Sequence, residues 1–73
     1  EALSTRQRMS QVLMKLKEQA ELTLSELFSV EEGRAGVVVS FLAILELVRE
    51  GLCVLVQAAP GSQIYIRPVS QDV

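Results

Sequence analysis

Histidine and tryptophan are absent from this 73-residue chain, and cysteine occurs once, at Cys53. A single thiol rules out an intramolecular disulfide. With no histidine and one cysteine, neither a zinc site nor a Ser-His or Cys-His catalytic set can be assembled within the chain. Aromatic residues make up 4% of the sequence, so the core has to be aliphatic. The longest apolar run, residues 37–48, is broken by Ser40 and Glu46 and falls short of the roughly 20 residues that a membrane span needs. Basic charge is scarce too. Seven Lys and Arg against nine Asp and Glu leave a net charge of -2, whereas nucleic-acid-binding domains are usually basic because they neutralise phosphates.

What remains is rich in Leu, Val and Ile, and 49% of the residues are hydrophobic. Such a composition folds, and the length suits one small domain spanning 1–73. The first residue is Glu1, and the chain is expected to be a piece of a longer protein. One cysteine and no disulfide fit a cytoplasmic setting.

Residues 4–19 have helical periodicity. Met9, Val12, Leu13, Leu16 and Ala20 fall on one face, and Ser4 with Gln7 has capping-box spacing. Arg6, Arg8, Lys15 and Lys17 lie off the stripe and are expected to be a solvated face; the alternative is a weak phosphate-contacting face. "LTLSELF" repeats the start signal: Thr23 and Glu26 form a capping box, and Leu22 with Leu27 a hydrophobic staple. This predicts a short helix over 24–28, after a possible very short strand over 21–23. A third helix is predicted over 34–50, with Gly51 as its left-handed terminator. Two strands follow, over 52–57 and 63–67, joined by "AAPGS" with its Pro-Gly turn signal. Pro68 ends the second strand, and 69–73 are expected to fray. The order predicts an α+β fold of the winged-helix type, three helices plus a small antiparallel wing.

The third helix is apolar almost all round. At about 100° per residue, Val37, Phe41, Ile44, Leu45 and Val48 share one stripe, which predicts the core face. Val38 and Leu42 fall on one shoulder, and Val39, Ala43 and Leu47 toward the other side. Wing and first helix could cover the two shoulders. A helix apolar all round is normally buried all round, and a domain this small leaves some of that surface to a partner. In the wing, Leu52, Val54, Val56, Ile64 and Ile66 alternate toward the expected core face. Cys53, Leu55 and Tyr65 then point outward, as a contact patch or as scattered surface hydrophobes.

Three functions compete. A protein-binding module suits the apolar third helix. A DNA-binding winged helix of a regulator would present Arg, Lys, Asn or Gln to base edges, but here Glu31 and Glu32 precede the helix, and Arg34 and Arg67 are a thin basic footprint. A homodimerisation module could use the same apolar face. Enzymatic activity has the least support: Glu31 and Glu32 are adjacent and diverge, and they suit a helix start instead.

Taken in order, "LSTRQRMSQVLMKLKEQ", "LSELFSVEEGRAGVVVSFLAILELVREGL" and "VQAAPGSQIYIRP" resemble the C-terminal domain of the segregation and condensation protein A family (ScpA), the bacterial kleisins of the SMC condensin complex. The most specific part is "ELF", then "GRAGVVVSFLAILELVREG", then a hairpin ending in "IYI". The resemblance implies a non-catalytic winged helix at the C-terminal end of its subunit. It would bind the cap side of an SMC ATPase head, with ScpB held by another part of the subunit. No cofactor, metal, small molecule, nucleic acid or membrane is expected on this domain, and the location implied is cytoplasmic, at the nucleoid. Kleisins use apolar residues of the third helix and wing against the head. Carried over, these are Val38, Leu42, Leu55 and Tyr65, and more loosely Val39 and Phe41, although the stripe count assigns Phe41 to the core. The wing turn departs from the family pattern: an aromatic often follows the proline there, where this chain has Pro60-Gly61-Ser62.

Overall fold

The computed structural model describes residues 3–69. Helix α1 (Thr5–Gln19) is followed by strand β1 (Leu22–Thr23) and two 3₁₀ turns (Leu24–Leu27 and Val30–Glu32). Helix α2 (Gly33–Arg49) and strands β2 (Cys53–Gln57) and β3 (Ile64–Pro68) complete the chain. The α+β class holds. The short second helix is a single 3₁₀ turn, so the described residues contain two α-helices. The capping box expected at Thr23 does not form, because the Thr23 side chain makes no capping hydrogen bond; its hydroxyl lies 3.4 Å from that of Ser25 instead. The staple pair Leu22 and Leu27 is buried in the core, and this packing holds the segment without a full helical turn.

The start of α1 and the end of α2 follow the local chemistry. The Ser4 hydroxyl accepts from the Gln7 amide at 3.1 Å. At the end of α2, Gly51 takes φ 77°, its amide donates to Val48, and that of Leu52 donates to Leu47, which closes the last turn in a Schellman motif.

The three strands form one antiparallel sheet in the order β1-β3-β2, which makes β2 an edge. Register pairs Leu22 with Ile66 and Thr23 with Tyr65 on one side of β3. On the other side it pairs Cys53 with Pro68, Leu55 with Ile66, and Val56 with Tyr65. The turn between β2 and β3 is held by Ser62, whose hydroxyl and amide both bond Ala59. Val69 donates to the Leu52 carbonyl at 3.1 Å, which ties the end of β3 back to the start of β2; the remainder of the expected frayed tail, 70–73, lies outside the described residues.

The core consists of Val12 and Leu16 from α1, Leu22 from β1, Leu27 from the first 3₁₀ turn, Ile44 and Leu47 from α2, Cys53 from β2 and Ile66 from β3, with Met9, Leu13 and Leu24 packed at its margin. It is aliphatic, as the composition requires. Its placement on α2 differs from expectation. The buried positions of that helix are Gly36, Ser40, Ala43, Ile44 and Leu47, and of the predicted stripe only Ile44 is inside. On β2 the parity is also reversed: Cys53 is buried while Leu52 and Val54 are exposed.

A polar node explains why Ser40 faces inward. Arg8, expected on the solvated face, turns between α1 and α2 with its side chain 11% exposed. Its guanidinium donates to the Leu27 carbonyl, to the Ser40 hydroxyl and to the Glu32 carboxylate. Ser40 in turn donates to the Leu27 carbonyl at 3.1 Å. A buried serine is tolerated because both of its hydrogen-bonding roles are filled. Glu32, one of the two acids expected to serve the helix dipole, is instead the counter-ion of Arg8 and stands just before α2.

Candidate protein-interaction surface

With Gly36, Ser40 and Ala43 turned inward beside Ile44 and Leu47, most of the large residues of α2 face solvent. Val37, Val38, Phe41, Leu42, Leu45 and Val48 are 36–49% exposed. At 100° per residue they span an arc of about 140°, bounded by Arg34 near the start of the helix and Arg49 near its end. Complete burial of such side chains contributes about 1.5–3 kcal/mol each. Between a third and a half of each is still in water, so a partner covering the strip would gain several kcal/mol.

The residues singled out by sequence are distributed as follows. Val38, Phe41 and Leu42 are on the strip, and Val39 is half-buried. Leu55 is exposed and lies directly opposite Ile66, so it is on the helix-bearing face of the sheet. Tyr65 pairs with Val56 and, by strand alternation, occupies the opposite face. Leu55 and Tyr65 therefore do not form one outward patch. Missed altogether were Val37, Leu45 and Val48, which were assigned to the core.

A groove of about 450 Å³ runs along one margin of the strip. Thr5, Arg6 and Met9 of α1 form one wall, and Leu42, Glu46 and Glu50 the other. Arg49 grips Glu46 through two hydrogen bonds, Nε to Oε1 at 3.3 Å and Nη2 to Oε2 at 3.2 Å. The Arg49 guanidinium holds the Glu46 carboxyl below its ordinary range. The neighbouring Glu46 carboxylate pushes Glu50 the other way, above its ordinary range. A smaller depression of about 240 Å³ lies at the tip of the wing, between Leu24, Phe28 and Gly61–Ile64. Burial also raises the Cys53 thiol, which faces the core.

Among the described residues, no group of three or more His, Cys, Asp and Glu side chains is placed to hold a metal ion. No helix among them is long and apolar enough to cross a membrane. What the fold displays is an aliphatic surface with charged margins, on a small α+β domain.

Comparison with known proteins assigns that domain. The family described as segregation and condensation protein ScpA matches residues 1–69. Segregation and condensation protein A of Coxiella burnetii (strain RSA 493 / Nine Mile phase I) is 48% identical over 67 residues, covering 92% of this chain and 25% of that protein. The protein of the same name from Xylella fastidiosa (strain 9a5c) is 47% identical over 70 residues, covering 96% of this chain and 23% of that protein. The chain belongs to the segregation and condensation protein A family and spans about a quarter of the length of the curated relatives it matches.

Proposed function

We propose that this chain is the SMC-binding domain of a bacterial kleisin, a winged helix in which the 3₁₀ turn at Leu24–Leu27 stands for the short second helix. It works in chromosome segregation and condensation by docking on the cap side of an SMC ATPase head, so that the complete subunit bridges the SMC dimer. ScpB is held by a part of the subunit outside this chain. The domain is non-catalytic, carries no cofactor and acts in the cytoplasm at the nucleoid.

The observation that supports this reading is the division of α2. The helix buries Gly36, Ser40 and Ala43 with Ile44 and Leu47 against its own domain and turns six large aliphatic or aromatic side chains to water. A monomer gains nothing from that arrangement, whereas a protein partner gains a contiguous apolar contact.

Leu42→Lys tests it. Leu42 is 48% exposed, so a lysine there reaches water and the domain should melt within a few degrees of the wild type. Against the SMC head of the same organism, the lysine would place an unpaired charge in an apolar contact. Affinity should fall at least about tenfold, or 1.4 kcal/mol. A variant that folds normally and binds the head as tightly as the wild type would show that the contact lies elsewhere, with Leu55 the next residue to test.

A further inference from the structure

Glu50 is a residue for which the fold has no use. It stands at the C-terminal end of α2, where the helix dipole disfavours a carboxylate. It follows Glu46 at i,i+4 spacing, where like charges repel. Arg49 is already committed to Glu46, and Arg6 on the opposite wall of the groove makes no ion pair with Glu50 among the described residues. Two local rules of helix construction are thus broken at one exposed position, and such violations concentrate where a surface has another task. The lining beside it is of the opposite character, with Leu42 half-exposed and Met9 facing it across the groove.

A Lys or Arg side chain matches this combination: an apolar stem several methylenes long, ending in a cation. We propose that the groove takes a Lys or Arg of the partner protein, its stem lying on Leu42 and Met9 and its cation reaching Glu50. The groove is then the charge-selective element of the interaction surface, beside an aliphatic strip that has little selectivity of its own. Naming the SMC head as that partner rests on the functional reading above.

The test measures stability and head binding in opposite directions. Glu50→Lys places a cation where the dipole favours it and converts a repulsive i,i+4 pair into an attractive one, so the chain should melt higher than wild type. The same variant should bind the purified SMC head about tenfold more weakly or worse at low salt. Glu50→Gln should bind more weakly than wild type and lose affinity less steeply as salt is raised. If the wild type binds the head and Leu42→Lys weakens it, while both Glu50 variants bind with wild-type affinity and salt dependence, the groove proposal is overturned and the functional reading stands. A wild-type domain that does not bind the head overturns both. A Glu50→Lys variant that melts lower than wild type overturns the premise that the fold does not use this carboxylate.

Discussion

On α1 the fully buried side chains are large, Val12 and Leu16. On α2, which packs against it, three of the five buried positions are Gly36, Ser40 and Ala43. Bulk on one helix meets hollows on the other, and large residues facing small ones let two helices interdigitate closely. The opposite sides of the two helices differ as well. The outward side of α1 carries Gln, Lys and Glu, as a solvated face should, whereas the outward side of α2 carries Val, Phe and Leu. On α2, then, small residues mark the line of close approach beside Ile44 and Leu47, and most of its large apolar residues mark the surface left for something else.

One substitution made at two positions two residues apart should break this comparison if it is wrong. Ala43 is fully buried and Leu45 is 44% exposed. Ala43→Lys forces an ammonium group between packed elements, at a cost of several kcal/mol. A chain this short has roughly 4–11 kcal/mol of total stability, so the variant should be largely unfolded by circular dichroism. Leu45→Lys replaces one good helix former by another and leaves its charge in water. It should stay within about 1 kcal/mol of wild type. Unfolding of Leu45→Lys would restore the stripe of Val37, Phe41, Ile44, Leu45 and Val48 as the core face.

That stripe shows where legibility ended. Helix α1 was readable because its flanks are polar: the apolar residues define a direction, and Val12 and Leu16 lie at its centre. Helix α2 was readable in extent, from Gly33 to Arg49, and in its glycine terminator, but not in phase. When every side is apolar, the hydrophobic period carries no phase, and the largest side chains dominate any count. The missing cue was the spacing Gly36, Ser40, Ala43, small residues at i, i+4 and i+7 that mark a close approach. Arg8 was illegible for a related reason. Its partners, Leu27, Glu32 and Ser40, are 19 to 32 residues away, and nothing local distinguishes it from Arg6. The strands were legible in existence and pairing, but the parity of β2 was not, because Cys53 through Val56 are apolar on both faces. The surface residues Val38 and Leu42 were named through family resemblance, and the groove at Glu50 came only with the structure.

The hollow side of α2 can be tested at its narrowest point. A Cβ added at Gly36 would overlap the Glu32 Cβ and lie 2.6 Å from its Oε1, so Gly36→Ala has to displace Glu32 from Arg8. The guanidinium would lose its counter-ion in a nearly buried site. Helix propensity returns up to about 1 kcal/mol, and a net loss of roughly 1–3 kcal/mol is expected from thermal or urea unfolding. In a Glu32→Gly background the obstacle is gone, and Gly36→Ala should then stabilise. A loss of the same size in both backgrounds would mean that Gly36 is needed for packing against something other than Glu32.

The smallest effect concerns how the two helices end. Both use a left-handed residue, but α2 has Gly51 there, at φ 77°, and α1 has Ala20, at φ 65°. A Cβ disfavours this conformation, and glycine adopts it without penalty. The Ala20 amide still closes the last turn of α1, donating to Leu16 at 2.9 Å, so the geometry is needed and the side chain is what costs. Ala20→Gly should therefore stabilise by about 0.5–1 kcal/mol, less the backbone entropy that glycine adds to the unfolded chain. In a domain of this size that is a rise in Tm of roughly 2–6 °C. Gly51→Ala should do the reverse and lower Tm by at least as much, because it installs at α2 the strain that α1 already carries. Should Ala20→Gly melt lower than wild type, the unfolded-state entropy would outweigh the relief of strain, and the two helix ends would be equivalent in energy although only one has glycine.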